Sequence, residues 1–312
     1  MESLLTALRA AAEPTRLRLL ALCARGGFCV TDLVAILGQS QPRLSRHLRL
    51  LVEAGLLERV PEGANAWFHL ADRGSLARDL IGRLPPDDPA LAADARAAAR
   101  VLAERARAAS DAFRRAGVEW DEASALDLPA AAIEQALIAA LPPGPLGRVL
   151  DIGTGTGHLL ELLGPRAASL LGVDASREML ALARARLAGL GIGHASLRQA
   201  DMYRLPLPDG GFDVVAMQMV LHYAEDPAAA LAEAARVLRP GGTLLLLDLA
   251  AHDRADLALR HAHRWPGFAD TAIAGWLGAA GCTLGEPVAI PAPLPVRLWS
   301  ARAAGASASL AA

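Results

Sequence analysis

Three glycines alternate with threonines in the segment Asp151-Ile152-Gly153-Thr154-Gly155-Thr156-Gly157, which follows an apolar run and opens a helix-like run. Glycine permits the tight backbone turn and the close approach of a ligand at such a point. Asp174 follows Gly153 by 21 residues, at the end of the next apolar run. A nucleotide-binding sheet places there an acid that hydrogen-bonds ribose hydroxyls. The order of strand, turn, helix, strand and acid therefore predicts an α/β domain that binds a nucleotide-type cofactor.

Short apolar runs alternate with helical stretches from about residue 121 to 302. This alternation predicts a mainly parallel sheet covered on both faces. We predict a Rossmann-like, seven-stranded α/β domain over 121–302 and a disordered tail over 303–312. The candidate strands are Arg148–Ile152, Ser169–Val173, Ala195–Gln199, Phe212–Met217, Thr243–Leu249, Thr283–Ile290 and Leu294–Ala301.

The chain has 312 residues, which is enough for two domains, and residues 1–73 have a different pattern. Helical spacing of apolar residues is followed by a hairpin, so we predict a winged helix-turn-helix, mainly α. Thr31 and Ser40 are the predicted caps of its third and fourth helices, and Gly38 ends the third. The predicted elements are helices from Leu4 to Ala11, after Pro14, over Asp32–Leu37 and over Gln41–Ala54, and strands over Leu56–Val60 and Ala66–Leu70 with a turn at Pro61–Asn65.

Residues 74–120 are rich in alanine and arginine and are broken at Pro85-Pro86. Small apolar residues recur at three-four spacing from Leu91 to Phe113, which suits packing on another helix. We predict a helical linker or dimerisation segment. The alternative is a helix that lies on its own domain.

The charge balance excludes a globally basic nucleic-acid binder, because the net charge is −2. Residues 1–73 nevertheless carry nine arginines against seven acids. No apolar run approaches the ~20 residues of a membrane span, and the N-terminus lacks a secretory signal pattern. Three cysteines are too few for a disulfide framework. We predict a cytoplasmic protein without a membrane partner.

The predicted fourth helix begins with polar and basic residues and has no acid between Arg43 and Arg49. A recognition helix uses such residues on base edges in the major groove and on phosphates. Arg59 and the turn after it suit a wing that contacts the DNA backbone. The predicted partner is double-stranded operator DNA, and the DNA-binding residues are Ser40, Gln41, Arg43, Ser45, Arg46, Arg49 and Arg59.

The N-terminal segment resembles the ArsR-type winged-helix repressors. The matching runs are Glu13–Leu20, Ser40–Leu48 and Glu53–Leu57. The resemblance implies a homodimer. Many of these repressors sense metals through paired cysteines, but the partner position of Cys29 is Thr31 here, so we expect no metal sensing and predict no metal site.

Asp151 stands at the entrance of the glycine turn, where a carboxylate repels phosphate but suits a cationic ligand. The alternative, a NAD-binding domain, is supported only by the glycine spacing, which both domain types share. The domain resembles the class I S-adenosylmethionine-dependent methyltransferases along residues 148–249, in the runs Gln199–Met202, Phe212–Val215, Leu221–Tyr223 and Val237–Gly242. The resemblance implies S-adenosylmethionine or S-adenosylhomocysteine as cofactor, and its predicted site residues are Asp151, Gly153, Thr154, Gly155, Gly157, Asp174, Ala175, Met179, Asp201, Met202 and Gln218.

Methyl transfer requires alignment and sometimes a base. His222 and Tyr223 are the candidate catalytic residues, because they follow the predicted fourth strand. His158 is a candidate structural residue or cofactor neighbour. The cluster His252, His261 and His263 lacks metal-ligand spacing. A small-molecule methyl acceptor fits the domain, and Cys282 as its single cysteine disfavours arsenic methylation.

The whole chain resembles fusions of these two domain types. The first hypothesis is a dimeric transcription regulator whose C-terminal domain binds the cofactor and is competent for methyl transfer. The second is a methyltransferase whose winged helix serves only dimerisation. The third is a non-catalytic sensor of S-adenosylmethionine or S-adenosylhomocysteine.

Overall fold

The computed structural model describes residues 1–62, 65–71, 75–116, 126, 128–254 and 263–305. The chain divides into two compact units. One comprises Met1–Ser110 with Ala181–Arg198, and the other comprises Asp111–Leu180 with Gln199–Ala312. The domain boundaries drawn from the sequence stay predictions.

The first unit contains a winged helix-turn-helix, as predicted. Strands β2 and β3 form an antiparallel hairpin, and the two-residue strand β1 pairs with β3. Its elements are α1 (Glu2–Ala11), α2 (Pro14–Cys23), β1 (Phe28–Cys29), α3 (Val30–Leu37), α4 (Gln41–Glu53), β2 (Leu57–Glu62), β3 (Asn65–Leu70), α5 (Ser75–Gly82) and α6 (Pro89–Ala116).

Helix α4 forms because its apolar residues recur at helical spacing and enter one core. Leu44, Leu48 and Leu51 are buried, so the opposite face is left to the polar and basic residues. Gly38 ends α3 in the left-handed conformation, with φ of 63°. This turn holds α3 and α4 as the helix-turn-helix pair.

Two local predictions for this unit were wrong. Helix α3 begins at Val30 with Cys29 as its N-cap, not with Thr31. The carboxylate of Asp32 accepts the backbone N–H of Cys29 at 3.0 Å, which stabilises the earlier start. The hairpin turn is also narrower than 61–65, because β2 extends to Glu62; residues 63–64 lie outside the described residues.

The remaining strands form one mixed sheet of eight strands in the order β10-β11-β8-β7-β4-β5-β6, with β9 beside β11. Strand β4 pairs in parallel with β5 and β7, and β7 with β8, whereas β11 is antiparallel to its neighbours. The elements are α7 (Ala130–Ala140), β4 (Gly147–Ile152), α8 (His158–Leu163), β5 (Ala167–Asp174), α9 (Arg177–Gly189), β6 (Ala195–Gln199), β7 (Phe212–Gln218), α10 (Pro227–Val237), β8 (Leu238–Leu249), α11 (Asp270–Ala279), β9 (Cys282–Leu284), β10 (Val288–Ile290) and β11 (Val296–Ala303), with 3-10 turns at Gly164–Arg166 and Leu221–Tyr223.

This sheet confirms the predicted Rossmann-like α/β fold, with one strand divided. The predicted strand Thr283–Ile290 is the two strands β9 and β10. Gly285 N still donates to Ser300 O of β11, and the pairing with β11 is interrupted after it, where Pro287 has no N–H to donate. Strand β11 extends to Ala303, the first residue of the predicted tail, and residues 306–312 lie outside the described residues. Among the helices of the described residues, none combines the length and apolarity that crossing a bilayer demands.

Candidate functional site

The glycine turn lies where three parallel strands end. Strands β4, β5 and β7 are neighbours, so the residues at their carboxyl ends meet at one edge of the sheet. The backbone N–H groups of Gly153 and Thr154 both donate to Val173 O, at 2.8 and 2.9 Å. These bonds fix the turn against the end of β5, beside Asp174.

Two glycines of the turn serve different purposes. Gly153 has φ of 74°, and a Cβ there would lie 2.4 Å from Val220 Cγ2. Gly155 has φ of 52°, but a Cβ there would meet no described atom within 4 Å. Gly153 is therefore required by the packing of the turn, whereas Gly155 borders open space in which a ligand could approach the backbone.

Asp151 is a buried carboxylate with one unsatisfied oxygen. Its Oδ2 accepts the hydroxyl of Thr154 at 2.6 Å, and its Oδ1 has no partner among the residues that the structure describes. Burial is the main cause that raises the pKa of Asp151 to about 7; the charge of Asp174 adds to the rise and the Thr154 bond opposes it. A cationic ligand would favour the ionised carboxylate.

Asp174 accepts two backbone N–H groups that define its orientation. Its Oδ2 accepts Gly155 N and its Oδ1 accepts Ser176 N, both at 2.8 Å. Burial raises the pKa of Asp174, and these two hydrogen bonds oppose the rise. The cap of α9 is Ser176, whose Oγ accepts Met179 N at 3.2 Å. Asp174 lies two residues before this cap and keeps its predicted role in the cofactor site.

The end of β7 offers another buried polar atom to a ligand. Gln218 Oε1 is buried, and no described residue hydrogen-bonds it. Met219, the next residue, has φ of 52° and is the one non-glycine residue of the described chain with a positive φ. Such backbone strain concentrates at functional sites.

The other predicted cofactor residues lie in partly open positions. Met179 and Met202 are half-buried, and Ala175 and Asp201 are exposed. Asp201 Oδ1 accepts Tyr203 N at 3.1 Å. Gly157 is the N-cap of α8 and has φ of 78°.

Taken together, the edge suits S-adenosylmethionine better than a pyrophosphate. Asp151 is a buried carboxylate and Asp174 a half-buried one. Both have raised pKa values, and both favour the ammonium or sulfonium of that cofactor and repel phosphate. The unsatisfied oxygens of Asp151 and Gln218 are acceptors and not donors. The residues present therefore fit the cofactor.

His222, in the 3-10 turn after β7, pairs with Asp248 of β8, a contact that the sequence did not predict. His222 Nδ1 lies 2.6 Å from Asp248 Oδ1, and both side chains are 0% exposed. Asp248 Oδ2 accepts Leu221 N at 2.9 Å. The signal in the sequence was an acid at the end of the apolar run of β8, but it could not reveal the partner.

The candidate catalytic residues His222 and Tyr223 pack against the segment that begins at His263. The rings of Tyr223 and His263 each approach the His222 ring with centroids 4.3 Å apart. His222 O accepts Arg264 N and Trp265 N. The segment after residue 262 thus packs on the turn 221–223.

The other histidines have local roles. His158 Nε2 lies 2.9 Å from Glu134 Oε1. His252 Nδ1 accepts Arg254 N at 3.1 Å, and burial lowers the pKa of His252. His261 lies outside the described residues. Within the ranges given for the structure, no three His, Cys, Asp or Glu side chains form a group suited to a metal ion.

Six of the seven predicted DNA-binding residues are exposed. Ser45 is half-buried, and the described residues provide no ion pair or hydrogen bond for the four arginines of the set. His47, on the same helix, has its Nδ1 3.7 Å from Glu13 Oε2; burial lowers its pKa, and the charge of Glu13 opposes this. The exposed members are Ser40, Gln41, Arg43, Arg46 and Arg49 on and before α4, and Arg59 on β2.

Comparison with known proteins identifies both parts of the chain. Residues 13–59 match the model of the bacterial regulatory protein, arsR family, and residues 150–246 match a methyltransferase domain model. Both predicted resemblances are thereby confirmed. The methyltransferase domain supports S-adenosylmethionine, or S-adenosylhomocysteine, as the cofactor, as predicted.

Similar proteins match the methyltransferase part over about a third of this chain. The uncharacterized methyltransferase YcgJ of Bacillus subtilis is 37% identical over 101 residues, which are 32% of this chain and 40% of that protein. Phosphatidylethanolamine N-methyltransferase of Cereibacter sphaeroides is 39% identical over 113 residues, or 36% and 55% of the two chains. The chain thus spans about half or less of these relatives' length. A solved structure from Bacillus halodurans, 21% identical, has a TM-score of 0.50 over 56% of this chain and 100% of that chain, and shares the fold.

Proposed function

We propose that this chain, which joins an ArsR-family helix-turn-helix segment to a methyltransferase domain, is an operator-binding transcription regulator competent for methyl transfer to a small molecule. One observation carries the enzymatic half. The buried Asp151 has an oxygen with no described partner, and it lies in the same turn as the open space at Gly155. This is the arrangement that a cationic cofactor completes.

Several residues of this chain would hold the cofactor. Asp174 would accept the ribose hydroxyls, Asp151 would face the cationic part, and Asp201 would accept the adenine amino group. Gln218 would supply an acceptor from the end of β7. When bound, S-adenosylmethionine supplies an electrophilic methyl group on a sulfonium.

The acceptor side has one partly exposed candidate, Tyr223. Its neighbour His222 is fully buried, so we assign His222 and Asp248 a positioning role. Asp248 accepts the Nδ1 proton of His222 and the N–H of Leu221, which fixes the turn. The Tyr223 ring then packs on the fixed His222 ring. In this proposal the fixed His222 ring would hold Tyr223, the partly exposed residue of the two, for contact with an acceptor.

The regulatory half rests on the exposed arginines of α4. Arg43, Arg46 and Arg49 follow one another at three-residue spacing, so they share a stripe of the helix surface. The buried leucines on the opposite face fix that stripe outward. A dimer would present two such helices to successive major grooves.

Calorimetry with S-adenosylmethionine tests the cofactor site. Asp174→Ala removes charge-assisted hydrogen bonds worth ~1.5–3 kcal/mol, so we expect roughly 10- to 100-fold weaker binding. The matched control is Glu286→Ala, which removes an exposed carboxylate of the same unit and should leave the affinity unchanged. Unchanged affinity in a folded Asp174→Ala variant would reject the assignment.

The second candidate function is a methyltransferase whose winged helix serves only dimerisation. A DNA-binding measurement distinguishes it from the regulator. Wild-type protein is offered genomic fragments and scrambled duplexes of equal length. Preference for particular fragments supports the regulator. Equal binding to all of them favours the dimerising enzyme.

A further inference from the structure

Residues 181–198 belong to the compact unit of the winged helix, although cofactor residues flank them in the chain. Asp174 and Met179 precede this segment and Asp201 follows it. Helix α9 therefore begins at the candidate cofactor site, and strand β6 ends there. Their middle portion is part of the winged-helix unit.

The two ends of this segment are held together beside Asp174. The side chain of Gln199, at the end of β6, donates from Nε2 to Ala175 O at 2.8 Å. Its Oε1 accepts Arg177 Nε at 2.9 Å. Ala200 N donates to Asp174 O at 3.1 Å. Movement of Asp174 or Ala175 on cofactor binding would thus displace both ends of the segment.

In the middle of the segment, Arg184 contacts the two strands of the wing. Its Nη2 lies 2.7 Å from Glu62 Oε2 of β2, and both side chains are at most 5% exposed. Its guanidinium lies 3.4 Å from the ring centroid of Trp67 of β3. A buried ion pair combined with a cation–π contact is sensitive to small displacements, because neither charge has water as an alternative partner.

Two further contacts attach the segment to the same unit. Arg198 Nη2 lies 2.8 Å from Glu58 Oε1 of β2. A Cβ at Gly193 would lie 1.9 Å from Ala24 O, so the backbone of the loop after α9 rests directly on the end of α2. The segment is therefore packed against the wing and not merely tethered to it.

Trp67 connects this contact to the helix-turn-helix. In the strand pairing, Trp67 lies opposite Cys29, which is the N-cap of α3. Arg105 lies 5.1 Å from the Trp67 ring centroid and also donates to Cys29 Sγ at 3.2 Å. A continuous series of contacts therefore connects Arg184 to α3, the first helix of the DNA-binding pair.

We propose that cofactor occupancy regulates DNA binding through α9 and β6, with the Arg184–Glu62–Trp67 cluster as the point of transmission to the wing. This inference rests on the proposed function, because it requires the cofactor to bind beside Asp174. The effector is S-adenosylmethionine or S-adenosylhomocysteine. The responding elements are β2, β3 and α3. Linkage requires operator DNA to change cofactor affinity by the same factor.

Hydrogen exchange followed by mass spectrometry tests this in the full-length protein, with S-adenosylmethionine as the probe and no DNA required. In wild type, we expect the cofactor to slow amide exchange at least twofold in two regions, the glycine turn 151–157 and the wing residues 57–62 and 65–70. In Glu62→Gln, which keeps the shape and removes the charge, the wing effect should be lost while the turn stays protected. A double variant, Arg184→Met with Glu62→Met, replaces the ion pair by apolar side chains and should behave likewise. Arg186→Met, on the exposed side of α9, is the matched control and should keep both effects.

The outcomes separate the two proposals. Protection of 151–157 with no change in the wing of wild type would overturn the coupling and leave the cofactor site intact. Equal wing protection in wild type and in both cluster variants would overturn the role of Arg184. Lack of protection at 151–157 would reject the proposed function and the coupling with it.

Discussion

Asp151 is the residue whose ionisation most directly controls the cofactor site. Burial raises its pKa to about 7, so it is largely neutral below that pH and charged above it. A cationic cofactor prefers the charged form. We therefore expect the affinity for S-adenosylmethionine to rise with pH and to level off above about 7, and below that pH to fall up to tenfold per unit.

Calorimetry between pH 6 and 8 checks this expectation. Below pH 7, binding should also release a proton, so the measured heat should depend on the buffer. The control ligand is 5′-methylthioadenosine, which has neither ammonium nor sulfonium and should bind without this pH dependence. Asp151→Asn should bind the cofactor weakly at every pH. If that variant kept the wild-type pH profile, another group would control binding.

Gly153 and Gly155 give a paired prediction about folding and binding. Both have a positive φ, which costs an alanine about 1–2 kcal/mol. Gly153→Ala also collides with Val220, so we expect the larger loss of stability there. Gly155→Ala places its methyl group in open space, so we expect a modest loss of stability and a large loss of cofactor affinity.

Urea denaturation and calorimetry on both glycine variants separate these effects. The free energy of unfolding should fall more for Gly153→Ala. Affinity per folded molecule should fall strongly for Gly155→Ala. Tight cofactor binding by Gly155→Ala would show that the open space at the turn is not used by the ligand.

At the scale of elements, DNA recognition is tested by substitutions in α4. Arg43 and Arg46 are exposed, and no ion pair with described residues must be broken before either contacts DNA. If one reads a guanine, its change to Ala should cost ~1–3 kcal/mol at one base per half-site. If it contacts phosphate, binding should weaken evenly and the salt slope should fall by about one. Fluorescence anisotropy across a salt series distinguishes these results.

The controls for that experiment are a second arginine and the cofactor. Arg83→Ala removes an exposed arginine outside α4 and should leave DNA binding unchanged. The Arg43 and Arg46 variants should keep the wild-type affinity for S-adenosylmethionine. Equal losses in all three variants would indicate attraction by charge alone, without recognition by α4.

The sequence was informative where a pattern depends on near neighbours. The leucine spacing of α4 and the glycine turn after β4 both follow from local rules. The start of α3 was misjudged because Asp32 and Thr31 compete as caps, and only the folded chain shows Asp32 bonded to Cys29 N. The pairing of His222 with Asp248 joins residues 26 apart and depends on which strands become neighbours.

At the scale of the whole molecule, the two domain types were visible because each has its own run of motifs. The membership of residues 181–198 in the winged-helix unit was not visible. Arg184 and Glu62 are 122 positions apart, and neither belongs to a motif. Long-range pairs of this kind are set by packing between distant segments, which residue patterns do not encode.

The oligomeric state is the remaining property of the whole molecule, and α1 provides its test. Its inner face is buried at Ala7 and Ala11, whereas Leu4, Leu5 and Leu8 are 50%, 44% and 39% exposed. Three neighbouring exposed leucines form an apolar surface that suits a second copy of the chain. In α6, by contrast, Ala98 and Leu102 are already buried in the core of their own unit. We therefore expect α1 to contribute more to a homodimer than the small-residue seam of α6.

Sedimentation velocity should give a dimer for wild type and a monomer for the double variant Leu5→Glu, Leu8→Glu. Burying a leucine contributes about 1.5–3 kcal/mol, and the variant removes two per protomer and adds repelling charges. Leu190→Glu is the control, because Leu190 is 51% exposed and lies outside α1; it should stay dimeric. The monomeric variant should also lose operator preference, since one recognition helix cannot span two half-sites ~34–36 Å apart. A double variant that stays dimeric would place the interface elsewhere, with α6 as the next element to test.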